Sequence, residues 1–139
     1  MSAEVLVGWN GMYSAYHEMI DTLNPGDYDY VIGASAGRKY DEAKAFYEQV
    51  MEKAYHKGIK FKVLSQERIR THFEKFKGPT KHLQIKYLQV ATYSEINIYN
   101  DTILIVIHGE TPTIVKIVNS DVAKSHLEYF KSLWKQANK

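Results

Sequence analysis

The chain has 139 residues, 45% of them hydrophobic and 24% charged, with 18 Lys+Arg against 16 Asp+Glu. That length suits one domain able to bury its own core, expected to span 1–139. The absence of cysteine excludes a disulfide scaffold, thiol catalysis and Cys-ligated zinc or iron–sulfur centres, and the near-neutral charge demands neither nucleic acid nor an anionic membrane.

The elements follow in chain order. Val5-Leu6-Val7 reads as a short strand ending at Gly8-Trp9-Asn10-Gly11. Met12, Tyr16, Met19, Ile20 and Leu23 then fall on one helical face, and Asn24-Pro25-Gly26-Asp27 stops that helix. Tyr28 to Ala34 is a strand, followed by a small-residue loop. Ala43, Phe46, Tyr47, Val50, Met51 and Ala54 make the next helical stripe, with Gly58 placed as its C-cap. Ile59–Leu64 alternates as a strand, and Ser65 is expected to cap a helix across Glu67–Lys77. Leu83–Leu88 alternates again.

The C-terminal third differs. Ile96–Tyr99 and Thr102–Ile107 flank Asn100-Asp101, a turn suited to a tight hairpin. The aliphatic run Ile103–Ile107 predicts a strand buried on both faces. Thr113–Val118 is a further strand, and Ser120 is expected to cap a final helix carrying Ala123, Leu127, Phe130, Leu133, Trp134 and Ala137. Alternating strands and helices followed by a meander predict an α/β fold: a mixed, mostly parallel sheet with helices on both faces.

Signals for chemistry are sparse. The six histidines show no HxH, HxxxH or HExxH spacing, so no metal site is expected and no cofactor is called for. No GxSxG elbow accompanies them. Gly33-Ala34-Ser35-Ala36-Gly37-Arg38 lies between a strand and a helix, where backbone amides, Ser35 and Arg38 would face a ligand. It carries neither the P-loop nor the dinucleotide pattern. Ten lysines and arginines between Lys53 and Lys86 make the middle of the chain basic, and the plain reading is a solvated face. No apolar run approaches the ~20 residues of a membrane helix. The start Met-Ser-Ala-Glu lacks a signal-peptide pattern, so a cytoplasmic protein without membrane contact is expected.

Glu95–Ile107, Thr113–Ala123 and His126–Trp134 together resemble the end of a phospholipase D-like domain. The likeness is strongest to the version in archaeal TrmB-type transcriptional regulators. Gly8-Trp9-Asn10-Gly11, Asn24-Pro25-Gly26-Asp27 and the His56–Leu64 junction extend it along nearly the whole chain. The enzymes of this fold use HxKxxxxD, a histidine nucleophile with a lysine that stabilises phosphate charge. Laid on this sequence, Asp101 takes the aspartate place, Ile96 the lysine place and Ser94 the histidine place. With both reactive groups missing, the expectation is that the chain is not an enzyme. The winged helix of the regulators is also missing, so DNA would be reached only through an attached domain.

The resemblance thus implies a ligand-sensing or dimerisation domain, with a homodimer and a sugar-like small-molecule effector as partners. Ser35, Arg38, Ser94 and Asn97 are the expected ligand-binding residues. Apolar residues near Ile98, Tyr99 and Ile105 are taken as surplus for an interface. The alternative is a divergent phosphodiesterase or nuclease of the same superfamily, using His108 or His82.

Overall fold

A computed structural model describes residues 1–34, 40–74, 78–89 and 94–139. The element order is β1 (Ser2–Val7), α1 (Gly8–Thr22), β2 (Tyr28–Ala34), α2 (Tyr40–Lys57), β3 (Lys60–Gln66), a 3₁₀ turn (Glu67–Ile69), α3 (Arg70–Glu74), β4 (Leu83–Leu88), β5 (Ser94–Tyr99), β6 (Thr102–His108), β7 (Pro112–Val118) and α4 (Ser120–Gln136). The strands form one sheet in the order β1-β7-β6-β5-β2-β3-β4.

The sheet corrects the expectation of mostly parallel pairing. Only β2–β3 and β3–β4 are parallel, whereas β1–β7, β7–β6, β6–β5 and β5–β2 are antiparallel. The meander β5-β6-β7 inserts between β1 and β2. Those two strands still run in the same direction, but α1 now carries the chain across three intervening strands. One edge of the sheet therefore collects the C-terminal ends of β1, β2, β3, β4 and β6 with the N-terminal ends of β5 and β7.

Helices cover both faces. Met12, Met19 and Ile20 of α1 and Val50 and Ala54 of α2 bury against Val31, Leu104, Val106 and Ile114. On the other face Ala123 and Phe130 of α4 meet Leu64, Ile98 and Ile103. The two cores follow from strand alternation, since successive side chains point to opposite faces. Within the run Ile103–Ile107, Ile103, Leu104 and Val106 are buried, but Ile107 at the strand's end is exposed. Ile98 and Tyr99 are internal to the two cores and Ile105 packs under α4, so they are not the surplus apolar surface expected from sequence.

Three helix starts also differ from expectation. Ser65 lies inside β3, where its hydroxyl donates to the Ala34 carbonyl at 3.0 Å; it caps nothing. The segment beyond it forms only the 3₁₀ turn and five-residue α3. At α4 the cap is Asn119, whose side-chain oxygen accepts from the Val122 amide at 3.0 Å, one residue before the expected Ser120. α1 begins at Gly8, earlier than the glycine-rich segment suggests. Gly11 is buried there because a Cβ would lie 2.9 Å from the Leu6 carbonyl carbon, so only glycine lets α1 descend this closely onto β1.

Candidate functional site

A buried polar cluster lies under α1 and α2, toward the edge where β5 begins and β6 ends. Glu95 and Asn97 share one face of β5, and both are almost fully buried. Tyr16 of α1 donates its hydroxyl proton to Glu95 Oε2 at 2.6 Å. Tyr47 of α2 donates to the same oxygen at 3.0 Å. Asn97 Nδ2 donates to the Tyr16 hydroxyl oxygen at 2.9 Å and lies 3.3 Å from Glu95 Oε2. One carboxylate oxygen thus takes two phenol donors and an amide. His108, at the end of β6, places Nε2 3.5 Å from the Tyr47 oxygen. Since the single Tyr47 proton already goes to Glu95, a hydrogen bond here requires the tautomer that carries the proton on Nε2.

Aromatic rings wall the cluster. Tyr16, Phe46 and Tyr47 meet edge-to-face at 5.4 to 5.8 Å, and Trp9 packs on Phe46 at 5.8 Å. Burial, reinforced by the Glu95 carboxylate, holds both phenols well above the ordinary tyrosine range. They therefore remain neutral hydrogen-bond donors across the physiological range. Further along the same sheet face, Asp29 is wholly buried, and no described residue gives either carboxyl oxygen a hydrogen bond of good geometry. Burial, then the Glu95 charge, pushes its carboxyl well up; the nearby Ile98 amide opposes this only in part. Lys116 is the other buried charge on this face, paired with Glu18 and, at 3.7 Å, with Glu4.

The sequence-predicted residues are dispersed. Asn97 belongs to the cluster. Ser94, three residues before it, sits on the opposite side of β5 with Ile96 and Ile98, toward α4. Ser35 and Arg38 lie outside the described residues. Asp101 occupies the β5–β6 turn, where its carbonyl accepts from the Asn119 amide. Of the two histidines considered for catalysis, His108 joins the cluster. His82 instead packs on Tyr55 beside Met51, Ile59, Phe61 and Pro79, its Nδ1 buried without a partner among the described residues. No group of three His, Asp or Glu side chains among the described residues is placed to hold a metal ion. No described helix is long and apolar enough to cross a membrane. Glu95, Tyr16 and Tyr47 were not singled out from sequence, although Glu95-x-Asn97 inside an otherwise apolar strand is a period-two polar signal.

A mixed seven-stranded sheet, covered by α1 and α2 on one face and α4 on the other, is the phospholipase D-like fold. Solved structures that share this fold include TrmBL2 as well as phospholipase D family members. No protein-family model matches the chain, and no curated protein matches it. Among solved structures, TrmBL2, an archaeal chromatin protein described as showing a novel mode of DNA binding, superposes with a TM-score of 0.68 at 15% identity. The match covers 100% of this chain and 54% of TrmBL2, so the chain spans about half of that protein. Nuc from Salmonella typhimurium, a phospholipase D family member, gives 0.62 at 17% identity, covering 99% of this chain and 96% of its own. NucT from Helicobacter pylori gives 0.60 at 10% identity over 99% and 98%.

These similarities correct the expectation that the chain is not an enzyme. Its neighbours in fold include Nuc and, at a TM-score of 0.55 and 12% identity, a phosphatidylserine synthase of Haemophilus influenzae Rd KW20. Absence of histidine and lysine at two matched positions therefore does not decide the question.

Proposed function

We propose that the chain is the ligand-sensing and dimerising module of a TrmB-like transcriptional regulator, acting on DNA through an attached domain. The observation that carries the ligand site is the Glu95 carboxylate, buried yet shared by two phenols and an amide from three different elements. Alternating acceptors and donors inside an aromatic wall suit a polyhydroxylated, sugar-like molecule, whose hydroxyls exchange for the internal partners. Asn97, Glu95, Tyr16, Tyr47 and His108 would contact it, with Ser35 and Arg38 as further contributors. Full-length likeness to half of TrmBL2 supports the regulator reading. Binding to one dimer arrangement in preference to another would bias the attached domain.

The test is a thermal-shift screen of sugars and nucleotides, repeated on Asn97→Ala. A true effector at ~100 times its Kd stabilises the chain by about 2.7 kcal/mol, and the variant loses that response. A panel that leaves the melting temperature unmoved, or a response unaltered in Asn97→Ala, defeats the sensing role. The same preparation should be assayed on bis-p-nitrophenyl phosphate. Turnover that disappears in Glu95→Gln assigns a catalytic part to this cluster.

A further inference from the structure

The opposite face of the sheet holds a second constellation, on the β2, β3 and β4 side and across the sheet from the Glu95 cluster. Tyr28 and Tyr30 of β2 stack at 5.4 Å, Tyr30 meets Phe130 of α4 edge-on at 5.1 Å, and Phe130 stacks on Trp134 at 5.4 Å. Three ammonium groups lie over this aromatic row. Lys60 is 5.6 Å from the Tyr28 ring centre. Lys62 sits between two rings, 5.4 Å from Tyr28 and 5.6 Å from Trp134. Lys86 is 4.6 Å from Trp134. Register explains the cluster: Tyr28 pairs with Lys60, Tyr30 with Lys62 and Leu64 with Lys86, so all three lysines project on the α4 side.

These lysines differ from the four cations that the structure ties into ion pairs. Lys44, Lys116, Lys131 and Arg70 each lie within ion-pair distance of a carboxylate. Among the described residues no carboxylate comes that close to Lys60, Lys62 or Lys86, and β2, β3 and β4 present no acidic side chain on this face. Lys135 adds an exposed charge in the last turn of α4. The buried carboxyls Asp29 and Glu95 project from the other face.

The geometry points to a second binding site on this face, a platform for a single nucleic-acid strand, with phosphates on Lys60, Lys62 and Lys86 and bases against Tyr28 and Trp134, the half-buried ends of a row whose middle, Phe130, is core. Cationic grooves interleaved with aromatic rings bind single strands because the charges follow the backbone while any base can stack. Ammonium groups already positioned over rings lose little further freedom on meeting a phosphate, and Lys86, which also donates to the Trp134 carbonyl at 3.2 Å, is fixed most firmly. A double helix offers no free base faces, so single strands are preferred. The site is independent of the effector cluster and of any attached DNA reader.

The test is fluorescence anisotropy of a short labelled oligo(dT) with the 139-residue chain across a salt series. The expected result is salt-sensitive binding, weakened at least about tenfold in Lys62→Ala/Lys86→Ala, with the salt slope reduced by about 1.4 for the two charges removed. Lys62→Arg/Lys86→Arg should retain binding, which separates charge from misfolding. Tyr28→Leu should weaken binding with the salt slope unchanged, because stacking releases no counterions. Quenching of the remaining tryptophan in a Trp9→Phe background places the strand at Trp134. Failure of the oligonucleotide to bind overturns the proposal. So does binding indifferent to both lysines, equal affinity for duplex of the same length, or capture only by phosphatidylserine vesicles.

Discussion

Asp29 and Glu95 are both buried carboxyls, yet their hydrogen-bond surroundings differ. Glu95 has its hydrogen bonds supplied by Tyr16, Tyr47 and Asn97, whereas Asp29 has none of good geometry among the described residues. With its native pKa raised, Asp29 keeps its proton in the folded chain after the unfolded chain has released it, near the ordinary value of about 3.9. Between that value and the raised native one, the folded state binds more protons, so stability falls as pH rises. Asp29→Asn removes this titration. Urea denaturation at about pH 5 and about pH 8 should show a flatter pH dependence in the variant and a relative stabilisation that grows with pH; parallel curves for the two proteins would refute it. At Glu95 the order of the donors matters. Tyr16→Phe removes the 2.6 Å donor and also the acceptor of Asn97, leaving two buried groups short of partners, at a cost of about 1–3 kcal/mol. Tyr47→Phe removes the longer 3.0 Å bond and the 3.5 Å contact to His108 at the half-buried rim, and should cost less. Denaturation of the two variants side by side checks that ranking, and a Tyr47→Phe loss equal to or above that of Tyr16→Phe contradicts the network as drawn.

At the scale of elements, the caps give a sharp comparison. Asn119 accepts from the Val122 amide while Ser120 is already helical, so Asn119→Ala should cost about 1 kcal/mol. Ser120→Ala should stay within about 0.5 kcal/mol. A reversed order in thermal or urea melts would return the cap to Ser120. The same stretch shows what was legible in the sequence. Helical stripes and strand alternation are local, so the element order was readable, and Asn100-Asp101 marked the β5–β6 hairpin within its own four residues. Asn100 does take the left-handed conformation that turn needs, at φ +50°. Sheet direction was not readable. β1 pairs with β7 across Ser2↔Val118, and nothing in either strand announces the other. Insertion of the meander between β1 and β2 is what made the sheet mostly antiparallel. The site was unreadable for a similar reason: Glu95 could be seen as a polar residue in an apolar strand, but its donors Tyr16 and Tyr47 lie 79 and 48 residues away in sequence. Each tyrosine alone fits an ordinary packing stripe.

For the whole molecule, the two sheet edges are finished differently, and that difference sets where the structure opens. At one edge β4 is covered by the C-terminal segment: Tyr87 donates its amide to the Asn138 carbonyl at 2.6 Å, and Asn138 donates back at 3.0 Å. At the other edge β1 pairs only with β7, and Val5 and Val7 are 63% and 67% exposed. An apolar strand with an open row of amides and carbonyls and a single charge, Glu4, is poorly protected against pairing. The centre is the reverse. β6 has Leu104 and Val106 buried under α1 and Ile103 buried on the α4 side, with a strand on either side of it. Native-state hydrogen exchange should therefore rank β6, β5 and β2 as the slowest amides, opening only with global unfolding, and β1 as the fastest strand. β1 as well protected as β6 in dilute solution would contradict this reading of the edge. The proposed dimer adds a second, concentration-dependent expectation. If two copies meet by antiparallel β1–β1 pairing about Val5, Glu4 stands opposite Leu6 of the partner subunit and no like charges face each other. Protection of β1 should then rise with protein concentration while β6 stays constant. A dimer whose formation leaves β1 exchange unchanged uses another surface.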